Sequence, residues 1–265
     1  MRSAVAAWLV FAGMHGAAAQ YEPYVGQPGK DVIWVPTPRA LVEKMLDMAQ
    51  VTPQDYVIDL GSGDGRNVIA AARRGARARG IEYEPEMVVL SKRSAAAEGL
   101  AGKATFVQGD MYEADISQAT VLALFLLPAN LNKLTPKFRA LKPGSRIVSN
   151  GYEIPGWEAD EKGELQEGCG NWCTAYLYVV PASVAGRWQL ANGVLELEQK
   201  LGRLSGSFAS GGNTVPLDNG RIKGLEISFA INGETYAGRV EGERMSGSKA
   251  GAAGPWSATR ALPWH

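Results

Sequence analysis

Up to residue 180 the apolar positions switch repeatedly between two rhythms. Short, almost unbroken apolar runs read as strands: "DYVIDL" (55–60), "ARARGIEYE" (76–84), "ATFVQGD" (104–110) and "TVLALFLLP" (120–128). The last has the composition of a strand buried on both faces. Between these runs lie stretches with helical spacing. Leu41, Met45, Met48 and Ala49 share one face after Thr37, a candidate cap with Pro38 at the first helical position. "RNVIAAARRG" (66–75) ends in Gly75, and a further helix opens at Pro85 and stops at Gly99. "NLNKLTPKFRAL" (130–141) is mostly helical, with Pro136 interrupting its register. Strands "SRIVSNGY" (145–152) and "TAYLYVV" (174–180) follow with no helix between them. This alternation predicts an α/β fold: a doubly wound Rossmann-like sheet, mostly parallel, with an antiparallel last strand.

Beyond Pro181 the helical rhythm vanishes and a period of two takes over. Leu225, Ile227 and Phe229 fall on one face, with Glu226 and Ser228 opposite. "GRLSG" (202–206), "GRIKG" (220–224) and "GRVEG" (238–242) recur every 18 residues. They read as shared hairpin-turn chemistry rather than as a duplicated unit. The pattern predicts a small antiparallel all-β domain over 187–265, a meander of about five or six strands or a small barrel. The segment before the α/β domain, "YEPYVGQPGKDVIWVPTP" (21–38), is punctuated by Pro and Gly and reads as an ordered arm. The arm is placed at 20–36 and the α/β domain at 37–181.

The first residues, "MRSAVAAWLVFAGMHGAAAQ", have another character. Arg2, an apolar stretch from Ala4 to Ala12 and small residues at Ala17–Ala19 match a secretory signal peptide over 1–19, cleaved before Gln20. That predicts an exported or periplasmic protein; without a working signal the chain is cytoplasmic. Composition narrows the function only by exclusion. Lys and Arg number 27 against 27 Asp and Glu, with no basic run, so no nucleic-acid partner is expected. No apolar run reaches the roughly 18–20 residues of a membrane span, so none is expected in the mature chain. Cys169 and Cys173 have no His near them, so no metal site is expected. In an exported chain they suit a local disulfide, in a cytosolic one two reduced structural thiols.

The chemistry centres on "VIDLGSGDGRN" (57–67). Ligands of such sheets bind at the carboxyl ends of the strands, where this glycine turn lies. A dinucleotide fingerprint needs a different glycine spacing. Asp59 before the turn and Asp64 within it would also repel a pyrophosphate at close range. A ligand carrying an ammonium and a sulfonium, and no phosphate, meets no such conflict. The plain structural alternatives are a strand-end carboxylate capping the next helix for Asp59 and a surface acid ahead of Pro85 for Glu82.

The turn resembles the first motif of the class I S-adenosylmethionine-dependent methyltransferases, an acid followed by Gly-x-Gly-x-Gly, here Asp59, Gly61, Gly63 and Gly65. The resemblance implies S-adenosyl-L-methionine as cofactor. It implies ribose binding by Glu82 in "GIEYEP", adenine-amino recognition by Asp110 in "VQGDMY", and Met111 against the adenine. A closer resemblance spans 31–180. "WVPTP" (34–38), "DLGSGDGR" (59–66), "LFLLP" (124–128) and "LKPGSRIVS" (141–149) look like the FAM173-like subgroup, with its small bacterial methyltransferases and mitochondrial lysine methyltransferases. There the arm folds over the cofactor, the strand-four end, closed here by Pro128, faces the transferred methyl, and the known acceptor is a protein lysine. A small-molecule acceptor stays open. Trp34, Tyr24 and Tyr152 are candidates to line an aromatic acceptor channel, with ordinary packing as their alternative. The leader and the β domain depart from the subgroup and motivate an alternative, a non-catalytic envelope binding or scaffold protein that retains the fold. A nicotinamide-dependent oxidoreductase is disfavoured by the charges and spacing of the turn.

Overall fold

The computed structural model describes residues 21–250 and 254–261, so the signal expected over 1–19 lies outside the described residues. The first part contains α1 (Arg39–Met48), β1 (Tyr56–Leu60), α2 (Arg66–Arg73), β2 (Arg77–Glu82), α3 (Pro85–Ala97), β3 (Ala104–Gln108), β4 (Val121–Leu124), α4 (Pro128–Arg139), β5 (Arg146–Asn150), β6 (Glu161–Glu164) and β7 (Thr174–Val179). The strands form one sheet in the order β3-β2-β1-β4-β5-β7-β6. The first five are parallel, while β7 runs antiparallel to β5 and β6 antiparallel to β7. The chain winds outward from β1 to β3, then returns to β4 on the other side of β1. That reversal opens a crevice at the carboxyl ends of β1 and β4.

Burial explains the placement of the elements. All four residues of β4 are buried, as expected of a central strand covered on both faces. Residues of α1, α2 and α3 join one face of the sheet in a single core, and Leu131, Leu134 and Phe138 of α4 join the other. Three local expectations are corrected. The strand expected over 120–128 stops at Leu124, because the chain leaves the sheet before Pro128 opens α4. Thr37 does not cap α1: Pro38 occupies that position, and the Thr37 hydroxyl accepts from Asn150 Nδ2 at 3.2 Å. The edge strand β6 went unforeseen, since "EKGE" is exposed at three of four positions and carries no apolar alternation.

The remaining strands are β8 (Gly186–Leu190), β9 (Gly193–Lys200), β10 (Arg203–Ser210), β11 (Asn213–Pro216), β12 (Asp218–Lys223), β13 (Glu226–Ile231), β14 (Glu234–Glu241), β15 (Arg244–Lys249) and β16 (Pro255–Arg260). Nine strands thus replace the expected five or six. Pairing of β16 with β8 and of β9 with β10 closes the sheet into an antiparallel barrel, with β11 paired only to the far half of β10. Its interior is filled by side chains: Phe229 stacks on Tyr236 at 5.1 Å, with Trp256 edge-on to both. The 18-residue recurrences are not structurally equivalent. The first opens β10, while the other two end β12 and β14 at their hairpin turns.

Opposite the crevice, the amino ends of β1 and β5 are tied by one acid. Asp55 accepts from Thr120 Oγ1 at 2.7 Å, from Thr52 N at 2.8 Å and from the Arg146 guanidinium. Arg146 Nη1 also donates to the carbonyl of Ala49 at 2.6 Å, fastening the end of α1. Burial pushes the Asp55 carboxyl up, but the Thr120 and Thr52 hydrogen bonds and Arg146 outweigh it and hold it below its usual value. A depressed folded value contributes stability above the unfolded carboxylate pKa of about 3.9, lost as the pH falls through the folded value. Asp55→Ala leaves a partly solvated Arg146 unpaired, so a loss of about 2–3 kcal/mol is expected at neutral pH, shrinking in acid. Urea unfolding of both proteins at two pH values measures it. A loss under about 0.5 kcal/mol at neutral pH, the range of ordinary surface changes, would remove the network from the account.

Candidate active site

The turn 61–65 is stitched to β2 before any ligand is considered. Gly61 N and Ser62 N both donate to the carbonyl of Ile81, at 2.8 and 3.0 Å. Gly63 N donates to Glu82 Oε2 at 2.7 Å, and Glu84 N donates to Glu82 Oε1 at 3.0 Å. Each oxygen of this nearly buried carboxylate is therefore held by one backbone amide. The glycines of the turn serve different ends. Gly61 lines the crevice. At Gly63 (φ +53°) an added Cβ would lie 2.6 Å from the indole nitrogen of Trp34. At Gly65 (φ +81°) it would lie 2.6 Å from the Phe106 ring of β3. The second glycine makes room for the arm and the third for the next strand.

The acids divide in the same way. Glu82 and Asp110 line the crevice, and Met111 is buried at its wall. Asp110 accepts from Tyr112 N at 2.8 Å and pairs with Lys30, whose ammonium also lies 4.9 Å from the Tyr83 ring centroid. The Lys30 hydrogen bond, helped by the Tyr112 amide, holds the Asp110 carboxyl below its usual value. Asp59 stands behind the turn instead of lining the crevice, and accepts from Asn67 Nδ2 at 3.1 Å. Burial pushes its carboxyl well above the usual value; the Asn67 bond opposes this, while Glu82 and Asp64 add to it. Asp64 is paired with Arg66, which also donates to the Thr37 carbonyl at 2.7 Å. Arg66 offsets part of the Asp64 charge, which still acts on Asp59 behind the turn.

The arm covers the crevice as a short hairpin. Gly26 N donates to the Trp34 carbonyl and Trp34 N to that of Gln27, both at 2.9 Å. Lys30, Ile33 and Trp34 thereby line the site. Tyr24 does not: it lies outside the hairpin, 66% exposed, with its amide donating to Gln27 Oε1. At the other end the wall is Phe125, Leu126 and Leu127, with Tyr152 beyond them. Pro128 itself belongs to α4.

Trp172, which sequence reasoning missed, completes this end. It packs edge-on to Phe125 at 4.7 Å and to Tyr152 at 5.6 Å between centroids. An antiparallel β7 begins beside the carboxyl ends of the parallel strands, shown by Gly151 N donating to the Thr174 carbonyl at 2.9 Å. The expected antiparallel last strand was the signal that "GCGNWC" borders the crevice. The site therefore has a polar end with fixed carboxylates under β2 and β3. Its other end, past β4 and β5, is aromatic.

The comparisons agree with this geometry. Residues 59–161 match the ANTKMT methyltransferase domain family. A protein-lysine N-methyltransferase of Saccharolobus islandicus is 42% identical over 153 residues, 56% of this chain and 94% of that protein. The adenine nucleotide translocase lysine N-methyltransferase of Mus musculus is 32% identical, but the match spans only about half of each protein, 51% of this chain and 56% of the relative. A solved structure described as an RNA methyltransferase from Salinibacter ruber in complex with S-adenosyl-L-homocysteine superposes with TM-score 0.53 at 42% identity, covering 57% of this chain and 96% of that one. The match leaves about two fifths of this chain uncovered. The chain belongs to the class I S-adenosylmethionine-dependent methyltransferases, in the FAM173-like group that carries the ANTKMT methyltransferase domain.

Proposed function

We propose that this methyltransferase modifies the side-chain amine of a protein lysine. The observation that carries the reading is the aromatic and apolar end of the crevice, where Phe125, Leu127 and Tyr152 meet. Among the described lining residues this end holds no carboxylate or imidazole. The relatives named for lysine methylation support the acceptor class.

The residues present fit S-adenosyl-L-methionine. Glu82, with one amide on each oxygen, keeps lone pairs free for the two ribose hydroxyls. Asp110 and Met111 flank the place of the adenine, where the base amino group competes with Lys30 for the carboxylate. Gly61, which lines the crevice, would let the backbone approach the methionine portion. Asp59 acts through its charge from behind the turn. Bound there, the cofactor would supply a methyl group activated as a sulfonium for transfer to the amine nitrogen, with the departing electron pair taken up by sulfur.

What the chain itself contributes is desolvation and alignment. A lysine must give its proton to solvent to become a nucleophile. Burial lowers a lysine pKa by up to 3–5 units, about 4–7 kcal/mol at 1.36 kcal/mol per unit. Attraction of the ammonium to an aromatic face opposes this by only about 1–2 kcal/mol. To the extent that this wall desolvates the amine, burial favours the neutral, nucleophilic form over the attraction of the ammonium to the rings.

The acceptor is tested with labelled S-adenosyl-L-methionine and protein extract from the producing cells. Mass spectrometry is expected to locate the methyl on a lysine Nζ. Label confined to RNA or to small molecules would contradict the reading. Asp59 yields a second expectation. Its raised value keeps it protonated in the free protein to higher pH than an ordinary carboxyl. A cationic ligand favours the ionised form, so binding releases a proton below that value. Affinity for S-adenosyl-L-methionine should therefore rise with pH and level off once free Asp59 is ionised. Asp59→Asn should bind at least about tenfold more weakly, 1.4 kcal/mol, with a flat profile. Calorimetry showing the same slope in both proteins would assign the titration elsewhere.

A further inference from the structure

The loop between β6 and β7 is closed on itself. Cys169 and Cys173 are joined by a disulfide, and the enclosed Trp172 donates its amide to the Cys169 carbonyl at 3.0 Å. Cys169 is buried, and Leu165 N donates to the Cys173 carbonyl at 2.9 Å, which pins the base of the loop. The opposite surface leaves room for the tryptophan. An added Cβ at Gly151 would lie 2.8 Å from Trp172 Cε3. A ring on a short cross-linked loop has few alternative positions. This one stands against Phe125 and Tyr152, at the end of the crevice farthest from the ribose and adenine places.

We propose that Trp172, positioned by the Cys169–Cys173 disulfide, is the face that grips the amine of the acceptor at the transferred methyl. This rests on the lysine reading above and adds a specificity-determining residue to it. Three rings converge from three elements: Phe125 after β4, Tyr152 after β5 and Trp172 before β7. Indole gives the strongest cation attraction of the three. The ammonium that arrives and the methylated ammonium that leaves are both cations. The disulfide then sets acceptor affinity and leaves cofactor affinity alone, because the loop lies apart from Glu82 and Asp110.

Sinefungin tests this without a known acceptor. It is the cofactor analogue with an amine-bearing carbon in place of the methyl-bearing sulfur, so its ammonium takes the place of the transferred methyl, beside the acceptor amine. S-adenosyl-L-homocysteine has no group there. Trp172→Leu keeps apolar bulk and removes the π-face. It should weaken sinefungin roughly 5- to 30-fold, the range of a desolvated cation–π contact, and change S-adenosyl-L-homocysteine by less than about twofold. Trp172→Phe should recover most of the loss. The double variant Cys169→Ser/Cys173→Ser should weaken sinefungin selectively in the same direction. Calorimetry is paired with thermal melts, so that a folding defect shows as a loss of both ligands. Equal losses for both ligands in Trp172→Leu and Trp172→Phe would overturn the proposal, as would unchanged sinefungin affinity. If the wild-type protein bound S-adenosyl-L-homocysteine but not sinefungin, the amine position would fall. If it bound neither, the cofactor site itself would fall first.

Discussion

The carboxylate of Glu82 accepts the Gly63 amide on one oxygen and the Glu84 amide on the other. Those two bonds set the distance between the turn after β1 and the end of β2, and most of the site follows from that distance. Hydrogen bonds to an ionised group contribute about 1.5–3 kcal/mol each, and a nearly buried carboxylate that loses them has little water to replace them. With Gly63 fixed, its missing Cβ leaves the place that the Trp34 indole fills, and the arm hairpin is seated over the crevice. Ser91 of α3 donates to the Gly63 carbonyl at 2.9 Å, so the same turn also locates the helix after β2.

From this anchor the crevice grades from charge to aromatic surface. The acids lie at the ends of β2 and β3, the turn at β1, and the apolar wall at β4, β5 and the start of β7. Strand order alone produces the gradient. A ligand with a nucleoside at one end and a reactive cation at the other would suit this gradient. The closed barrel stands beside this arrangement with its own filled core. It touches the first unit through Leu201, packed against that unit's core, and through the pairing of Arg203 and Arg221 with Glu158.

Much of this was legible because it is local. Asp59, Gly61, Gly63, Gly65, Glu82 and Asp110 sit at strand ends, and strand ends follow from hydrophobic rhythm and glycine turns. The reasons behind the residues were less legible. Gly63 and Gly65 are glycines because of Trp34 and Phe106, which are remote in sequence. Asp64 was assigned to the ligand's electrostatics, and its pairing with Arg66 two residues on was not foreseen. Tyr24 and Trp34 are both aromatic residues of one arm, and only the hairpin pairing decides which faces inward. Trp172 needed two tertiary facts together, the direction of β7 and the cross-linked loop before it. The barrel's strand count was underestimated because tight turns such as Asn232–Gly233, with φ of +52° and +79°, leave almost no loop signal between strands.

The central claim is that Glu82, oriented by two amides, holds the cofactor's ribose. Calorimetric titration of wild-type protein and Glu82→Gln with S-adenosyl-L-homocysteine tests it most directly. Gln keeps the size of the side chain, but it replaces a charged acceptor with a neutral amide. The account predicts a loss of at least about tenfold in affinity, 1.4 kcal/mol, with the thermal midpoint measured alongside to show that the fold persists. Affinity unchanged within about twofold in a folded Glu82→Gln protein would contradict it.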